Sequence, residues 1–352
     1  MNIMILGASY GSLLSTKLLM AGHNVTLVCL PNEAELINKT GTEVRLKLRD
    51  EDAHRSIRSA DLKGQLDAVT PAKVDLARYD LIGLAMQEPQ YAAAEVKSLL
   101  GKIADADLPC LSIMNMPPLA YLKRIPALAS IDLSGCYRDA SVWQAFNPSN
   151  VTLCSPDPQA FRPPEEELNV LHVGLPTNFK AANFESPAHQ AILATLSADI
   201  AAVRLDDKDV PVKLRVHDSL FVPMAKWSML LTGNYRCIGK TGIQSIRDSV
   251  HSDKNASTAV YGYVDTLVQR LGGDIADAVP FEKYANAANS LLKPSSAARA
   301  IDAGAPNIER VDVLVQTIGR ELGMQHKTVD AIVDTVNSRL KSNREKHEAE
   351  PA

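Results

Sequence analysis

The stretch Met1-Asn2-Ile3-Met4-Ile5-Leu6-Gly7-Ala8-Ser9-Tyr10-Gly11-Ser12 joins a short apolar run directly to a turn rich in glycine and serine. This turn has two interpretations. As G-x-S-x-G, it would expose Ser9 as the nucleophile of a hydrolase. As a shortened nucleotide-binding turn, Gly7 would make the tight turn and Gly11 would allow close approach. Backbone N–H groups at the start of the next helix would then hold a pyrophosphate.

The residues after the turn favour nucleotide binding. Residues 13–21 have the apolar spacing of a helix, Gly22-His23-Asn24 ends that pattern, and residues 25–30 are typical of a strand. Together they predict a β-α-β unit of about thirty residues, which is the context that the nucleotide-binding fingerprint requires. A hydrolase elbow instead follows an interior strand, whereas this turn follows the first strand of the sequence. A plain glycine turn in another α/β sheet is the remaining alternative.

The composition limits the classes of partner. The chain has 352 residues, which is enough for two domains, and its net charge of −4 gives no electrostatic footprint for nucleic acid or an anionic membrane. No apolar run reaches the roughly 18 residues of a membrane-spanning helix, and the N-terminus does not resemble a signal peptide. The five cysteines are dispersed without a C-x-x-C pair, which favours structural thiols in the cytoplasm. We expect a small-molecule substrate and no metal.

The order of the apolar patterns predicts two domains. Buried strands are expected at 78–86 and 108–114, and an extension of the sheet at 151–154, 170–173 and 202–205. Helical periodicity follows at 216–231, 258–271, 281–292, 308–322 and 328–340. We therefore predict a Rossmann-type, doubly wound α/β domain over 1–207, an all-helical domain over 208–340 and a polar tail over 341–352.

Four separated motifs support a more specific assignment. They are a second strand after Gly-His, a strand that ends in asparagine, a helix carrying a lysine with an asparagine eight residues later, and a serine pair before a carboxylate. In this chain they read Gly22-His23-Asn24-Val25-Thr26-Leu27-Val28, Ile113-Met114-Asn115, Met224-Ala225-Lys226 with Asn234, and Ser295-Ser296 before Asn307-Ile308-Glu309. This combination resembles the ketopantoate reductase family. Its members use NADPH to reduce a 2-oxo acid between a Rossmann domain and an all-helical domain.

The resemblance implies a set of catalytic residues. Hydride addition to a ketone builds negative charge on the oxygen, so the site needs a positioned donor or acid. Lys226 can supply both charge and a proton, and partial burial would lower its pKa. Asn115 and Asn234 would orient the carbonyl or the nicotinamide, and Glu309 would act on the substrate.

The resemblance also implies binding residues. Substrate groups would be bound by Ser295, Ser296 and either Asn307 or Glu309, since both alignments are open. The serine pair follows Pro294 and is equally compatible with a helix N-cap. The cofactor would be bound by Gly7, Ala8, Ser9, Tyr10, Gly11, Ser12, Asn32, Gln87 and Asn115. A homodimer is expected by resemblance, with the apolar face at Val311, Val313, Leu314, Val315 and Ile318 buried either internally or between subunits.

Several residues depart from the family pattern. The glycine loop is one residue short, with Ser9 where a second glycine would stand, and Gln87 replaces a lysine on the cofactor side. The basic residue that commonly binds the 2′-phosphate of NADPH after the second strand is missing from Cys29-Leu30-Pro31-Asn32, and so is the acid expected for NAD. NADP is the expected cofactor, with NAD left open.

Two further functions are compatible with this sequence. An opine-type dehydrogenase would need a histidine and aspartate pair in the helical domain, where His217-Asp218 lies by the predicted boundary. Adjacent residues on a helix diverge by about 100°, however, so this pair does not form a relay by itself. A non-catalytic nucleotide-binding sensor is the other alternative, because a fold alone does not establish activity.

Overall fold

A computed structural model describes residues 1–349 of the chain. These residues form two compact units. The first comprises Met1–Met86, Gln90–Tyr121 and Ser141–Pro223, and the second comprises Gln87–Pro89, Leu122–Ala140 and the chain from Met224 onward. The predicted boundary at residue 207 differs from this division, because the strand Leu214–His217 pairs with the sheet of the first unit.

The first unit holds all the strands of the described chain. They are β1 (Asn2–Leu6), β2 (Asn24–Val28), β3 (Glu43–Leu46), β4 (Arg55–Arg58), β5 (Leu66–Val69), β6 (Leu81–Leu84), β7 (Cys110–Ile113), β8 (Val151–Ser155), β9 (Gln159–Phe161), β10 (Val170–Leu175), β11 (Phe179–Ala182), β12 (Arg204–Leu205), β13 (Lys208–Asp209) and β14 (Leu214–His217). Its helices, the fourth of which ends one residue beyond the unit, are α1 (Ala8–Met20), α2 (Pro31–Thr40), α3 (Ala94–Asp105), α4 (Leu119–Leu122) and α5 (Pro187–Ala202).

Eight strands form the main sheet in the order β14-β11-β8-β7-β6-β1-β2-β5. The six strands from β8 to β5 pair in parallel, with the reversal of strand order between β1 and β6. This is the Rossmann order, and strands β6 and β7 are buried at every residue because helices cover both faces. The predicted α/β fold class is therefore confirmed.

The first unit also contains a second sheet of four strands, in the order β4-β3-β10-β9. We call it the accessory sheet. The predicted strand at 151–154 exists as β8 in the main sheet, but the one at 170–173 belongs to the accessory sheet, where Val170 pairs with Glu43. The segment 202–205 holds the end of α5 and β12, whose partner is β13. Both placements in the main sheet were wrong, because the pairing partner of a short strand is set by contacts distant in sequence.

The second unit is helical, as predicted. Its helices are α6 (Lys226–Met229), α7 (Ile246–His251), α8 (Lys254–Arg270), α9 (Phe281–Ala288), α10 (Ser296–Asp302), α11 (Val311–Glu321) and α12 (Lys327–Ala349). The predicted helix at 216–231 is wrong in its first half, since its first two residues end β14. Within residues 1–349, no helix is both long and apolar enough to cross a bilayer.

For the apolar face of α11, burial within the chain and burial between subunits were both left open. Val311, Leu314, Val315 and Ile318 are fully buried within the single chain, which is the first of these alternatives, and Val313 is half-buried. The predicted polar tail, by contrast, needs correction. Residues 341–349 continue α12 instead of forming a polar tail. The buried amide of Asn343 donates to the carbonyls of Ile301 (2.8 Å) and Ala305 (3.0 Å) at the end of α10, so polar contacts hold this segment. Residues 350–352 of the predicted tail lie outside the described residues.

The turn between β1 and α1 is fixed by close backbone contacts. Gly7 has φ = 98°, and its N–H donates to the carbonyl of Val28 at the end of β2 (2.9 Å). A Cβ atom at Gly7 would lie 2.6 Å from the carbonyl oxygen of Ala85, directly after β6. Only glycine combines this φ with this approach.

We predict that Gly7→Ala lowers the free energy of unfolding, measured by urea denaturation, by about 1–3 kcal/mol more than Gly22→Ala does. Gly22 is the matched control, because it also has a positive φ (89°) but no described atom lies within 4 Å of its added Cβ. Both variants carry the cost of the left-handed backbone, roughly 1–2 kcal/mol, and only Gly7→Ala adds the overlap. Equal losses would contradict the proposed constraint.

Candidate active site

The first turn of α1 offers backbone donors. No side chain of the described residues caps this helix, and its first turn contains no acidic residue. The N–H groups of Ala8, Ser9 and Tyr10 therefore face the end of the helix with its positive dipole, which is the arrangement that binds a pyrophosphate. Ser9 is the second helical residue, whereas a hydrolase nucleophile stands on the strained turn itself. The hydrolase interpretation is not supported by this geometry.

Gly11 has a packing role in this turn. Its added Cβ would lie 2.7 Å from Cγ2 of Ile5, so Gly11 lets α1 pack directly on β1. This is the role of the third glycine of the dinucleotide fingerprint. Gly11 therefore allows close approach of α1 to β1, and not of the backbone to a phosphate. Compared with G-x-G-x-x-G, the loop lacks one residue between Ser9 and Gly11.

Two side chains of the turn are engaged within the first unit. The Tyr10 hydroxyl donates to the carbonyls of Pro156 (3.3 Å) and Pro158, and burial raises the pKa of Tyr10 well above its usual range. The Ser12 hydroxyl donates to the Ala8 carbonyl within α1. We therefore expect that the turn would hold a ligand mainly through its backbone.

Further candidate residues follow parallel strands at the same edge of the sheet. Asn115 comes two residues after β7 and is half-buried, and Asn32 is exposed in the first turn of α2. The carboxyl ends of parallel strands meet at one edge, so these residues share that edge with the Gly7 turn. Gln87, which is exposed, follows β6 but belongs to the second unit.

In the second unit, Lys226 begins α6 and is half-buried. Residues Leu230–Asn234 then form a π-helical turn. In a regular α-helix the eight residues from Lys226 to Asn234 would make about 2.2 turns, an angular offset of about 80°. One extra residue in the π turn reduces that offset to roughly 20°, so Asn234 returns to the helix face of Lys226.

Contacts from neighbouring helices support this π turn. The Tyr284 hydroxyl on α9 donates to the Met229 carbonyl (3.2 Å) at the start of the turn. A Cβ at Gly233 would overlap that hydroxyl, so glycine is needed for the tyrosine to reach the carbonyl. The Ser295 hydroxyl donates to the Asn234 carbonyl (2.7 Å) at the end of the turn.

The serine pair has a visible structural role. Ser295 is buried and caps α10, accepting from the N–H of Ala298 (3.1 Å) while it donates to Asn234. Its hydroxyl is thus already used in positioning the π turn. Ser296 is exposed and accepts from the guanidinium of Arg299 (3.2 Å). Of the two, Ser296 has the side chain that solvent reaches.

The two alternative substrate-binding residues, Asn307 and Glu309, lie on one segment. Asn307 and Glu309 are both half-exposed between α10 and α11. The Tyr235 hydroxyl, directly after the π turn, donates to the Glu309 carbonyl (2.6 Å) and accepts from the N–H of Val311 (3.0 Å). The structure therefore ties the Glu309 segment to the helix of Lys226 and Asn234.

Glu88, which the sequence did not single out, contacts the candidate residue Glu309. Its N–H donates to Oε1 of Glu309 (3.3 Å), and its own Oε1 accepts from the N–H of Arg138 (2.9 Å). Glu88 is only 2% exposed, and this burial, with a further contribution from Glu309, raises its pKa to about 7. Nothing in the loop-like Gln87-Glu88-Pro89 indicates burial, because the burying residues come from distant segments.

The histidine and aspartate considered for an opine-type dehydrogenase lie elsewhere than expected. His217 ends β14 in the first unit, and Asp218 accepts from the amide of Asn183 (2.8 Å). His217 is thus in a strand and Asp218 directly follows it, and neither lies on a helix of the second unit. These two residues therefore do not form the histidine and aspartate pair in the helical unit that would favour an opine-type dehydrogenase.

Solved structures with this architecture match almost the whole chain. A protein assigned as a ketopantoate reductase from Ralstonia solanacearum MolK2 gives a TM-score of 0.71 at 16% identity, covering 97% of this chain and 98% of that one. The chain has the ketopantoate reductase fold. The 2-dehydropantoate 2-reductase from Methylococcus capsulatus gives a TM-score of 0.67 at 13% identity, covering 100% of this chain and 99% of that one. D-mandelate dehydrogenase, solved with NADH and anilino(oxo)acetate, gives a TM-score of 0.65 at 14% identity, covering 98% of this chain and 100% of that one.

The other two comparisons give no match. No protein-family model matches the chain, and no curated protein does. At these identities the structural likeness shows the fold, and the resemblance predicted from sequence motifs is confirmed at that level.

We predict that Glu88→Gln removes a pH dependence of stability. Unfolded Glu88 loses its proton near its ordinary pKa of 4.5 and folded Glu88 only near about 7, so the contribution of Glu88 to the free energy of unfolding falls as pH rises between these values. The variant should gain up to about 3 kcal/mol relative to wild type by pH 8, since one pKa unit corresponds to about 1.4 kcal/mol. At pH 4.5 the two should differ little.

Urea denaturation at pH 4.5, 6 and 8 measures this difference. Glu35→Gln, at an exposed position on α2, serves as the control and should show no comparable trend. A Glu88→Gln difference that is constant with pH would contradict the buried, neutral carboxyl.

Proposed function

We propose that this protein is an NAD(P)H-dependent reductase of a small 2-oxo acid. The observation that carries the proposal is the π turn of the second unit, which brings Asn234 to the helix face of Lys226. This arrangement occurs in a chain whose fold matches ketopantoate reductases and a D-mandelate dehydrogenase over nearly its full length. Single π turns are frequent at functional sites.

The glycine turn fits a dinucleotide. Only glycine fits at Gly7, and the uncapped start of α1 would hold the pyrophosphate through the N–H groups of Ala8, Ser9 and Tyr10. When bound, the nicotinamide would supply a hydride. Asn32 and Asn115, at the same edge of the sheet, would contact other parts of the cofactor, and Gln87 would stand where the family has a lysine.

The second unit would polarise the substrate. Lys226 would place positive charge beside the carbonyl oxygen and donate the proton that the alkoxide requires. Asn234, held by Ser295 at its carbonyl, would orient the same oxygen through its amide. Glu309, oriented by the N–H of Glu88, would accept a hydrogen bond from a polar group of the substrate, with Ser296 and Asn307 as further contacts.

The finer assignments follow the solved relatives. We propose NADP as the cofactor, with NAD as the alternative because D-mandelate dehydrogenase was solved with NADH. Ketopantoate and aryl 2-oxo acids are the first substrates to test, given the names of these structures. A cytoplasmic homodimer is proposed because a ketopantoate reductase from Staphylococcus aureus is described as dimeric and all five cysteines here are free.

We predict oxidation of NADPH or NADH with at least one member of a panel of 2-oxo acids, followed by nicotinamide absorbance. Lys226→Ala should lower kcat by about 10²–10⁴-fold, since it removes a general acid, while leaving cofactor affinity nearly intact. Lys240→Ala, at an exposed lysine of the same unit, is the control and should leave kcat unchanged.

Two results would contradict this function. Unchanged turnover in Lys226→Ala would exclude Lys226 as the acid. Tight nucleotide binding without oxidation by any 2-oxo acid, with or without added amino acids, would favour the sensor. Oxidation that requires an amino acid would favour the opine-type dehydrogenase.

A further inference from the structure

The end of β2 lacks the charged residue that reads the ribose of a dinucleotide. In Rossmann folds this position carries an acid for the 2′-hydroxyl of NAD or lies near an arginine for the 2′-phosphate of NADP. Here Cys29 and Leu30 follow β2, and Leu30 is 69% exposed. A ligand at this edge must therefore be read by residues from elsewhere in the chain.

One segment of the chain reaches both neighbouring helix starts. We call Pro156–Arg162, which includes β9 of the accessory sheet, the crossing segment. At its beginning, the Pro156 and Pro158 carbonyls accept from Tyr10 in the first turn of α1. At its end, the Arg162 guanidinium pairs with Glu33 in the first turn of α2. The crossing segment thus links the phosphate-binding turn to the end of β2.

Arg162 lies near the end of β2, where the charged residue is missing. Burial and the charge of Glu33 raise the pKa of the Cys29 thiol to about 12, and the charge of Arg162 opposes that rise. Arg162 is therefore within electrostatic range of the first residue after β2. Its side chain is 24% exposed and that of Glu33 is 10% exposed, so the guanidinium is the more accessible partner.

Arg162 also has unused hydrogen-bonding capacity. A guanidinium carries five N–H donors in a fork that matches phosphate geometry, and in the described residues the contact with Glu33 engages only one nitrogen. The carboxylate of Glu33 holds the guanidinium in place from the helix side. An anion with a charge near −2 would use the remaining donors.

Resting on the proposed function, we propose that Arg162 binds the 2′-phosphate of NADPH. The accessory sheet thereby supplies from the crossing segment the cation that the residues after β2 do not provide. Glu33 is a positioning residue that orients Arg162 and does not itself touch the nucleotide.

Calorimetric binding of NADPH and NADH tests this assignment without an activity readout. The wild-type protein should bind NADPH more tightly than NADH. Arg162→Ala should weaken the binding of NADPH by roughly 10–100-fold, because a charge-assisted hydrogen bond is lost. The affinity for NADH should change by much less. Arg162→Lys keeps the charge without the fork and should retain part of the preference.

Two controls isolate the effect. Arg45→Ala removes another accessory-sheet arginine, which pairs with Glu166 (2.5 Å), and should leave both affinities unchanged. Lys73→Ala removes an exposed cation in the turn after β5 and should also leave the NADPH preference intact. Circular dichroism of each variant confirms that it is folded.

Three results would overturn the inference. An unchanged NADPH-to-NADH ratio in folded Arg162→Ala, or loss of the preference in Lys73→Ala alone, would exclude Arg162. Wild-type preference for NADH, lost in Glu33→Ala, would show that Glu33 reads the ribose hydroxyl. Failure of folded wild-type protein to bind either nucleotide would overturn the proposed function itself, which is a distinct result.

Discussion

The close approach of Gly7 to the end of β6 is the constraint on which the first unit depends. The Ala85 carbonyl leaves no space for a side chain, and the Val28 carbonyl takes the N–H of Gly7. The chain must therefore reverse within one residue, and α1 begins at once with its N–H groups uncapped. In the proposed function, fold and ligand affinity would come from the same backbone geometry, because the turn that packs the helix also presents its dipole.

Local patterns were sufficient to predict this turn. The β1-α1-β2 unit is contiguous in sequence, so apolar spacing and two glycines predicted it, and the fold class followed. The accessory sheet could not be predicted in the same way, since β10 pairs with a strand more than a hundred residues earlier. Arg162 was missed for the same reason, because its partner Glu33 is 129 residues away.

The second unit shows how a motif can be predicted without its geometry. The spacing of Lys226 and Asn234 was visible in the sequence, but the π turn that aligns them depends on Tyr284 and Gly233 packing against it. The serine pair was interpreted either as a helix N-cap or as a substrate contact, and the Ser295 hydroxyl does cap α10 while it also holds the π turn. Burial of polar groups by distant segments is what the sequence pattern does not show.

The most direct test of this account is a crystal structure of the protein with NADPH. We expect the pyrophosphate oxygens within hydrogen-bond distance of the backbone N–H groups of Ala8, Ser9 and Tyr10, at the end of β1. A pyrophosphate bound away from the start of α1, with the Gly7 turn unchanged and open to solvent, would contradict the central claim that this turn is a dinucleotide site.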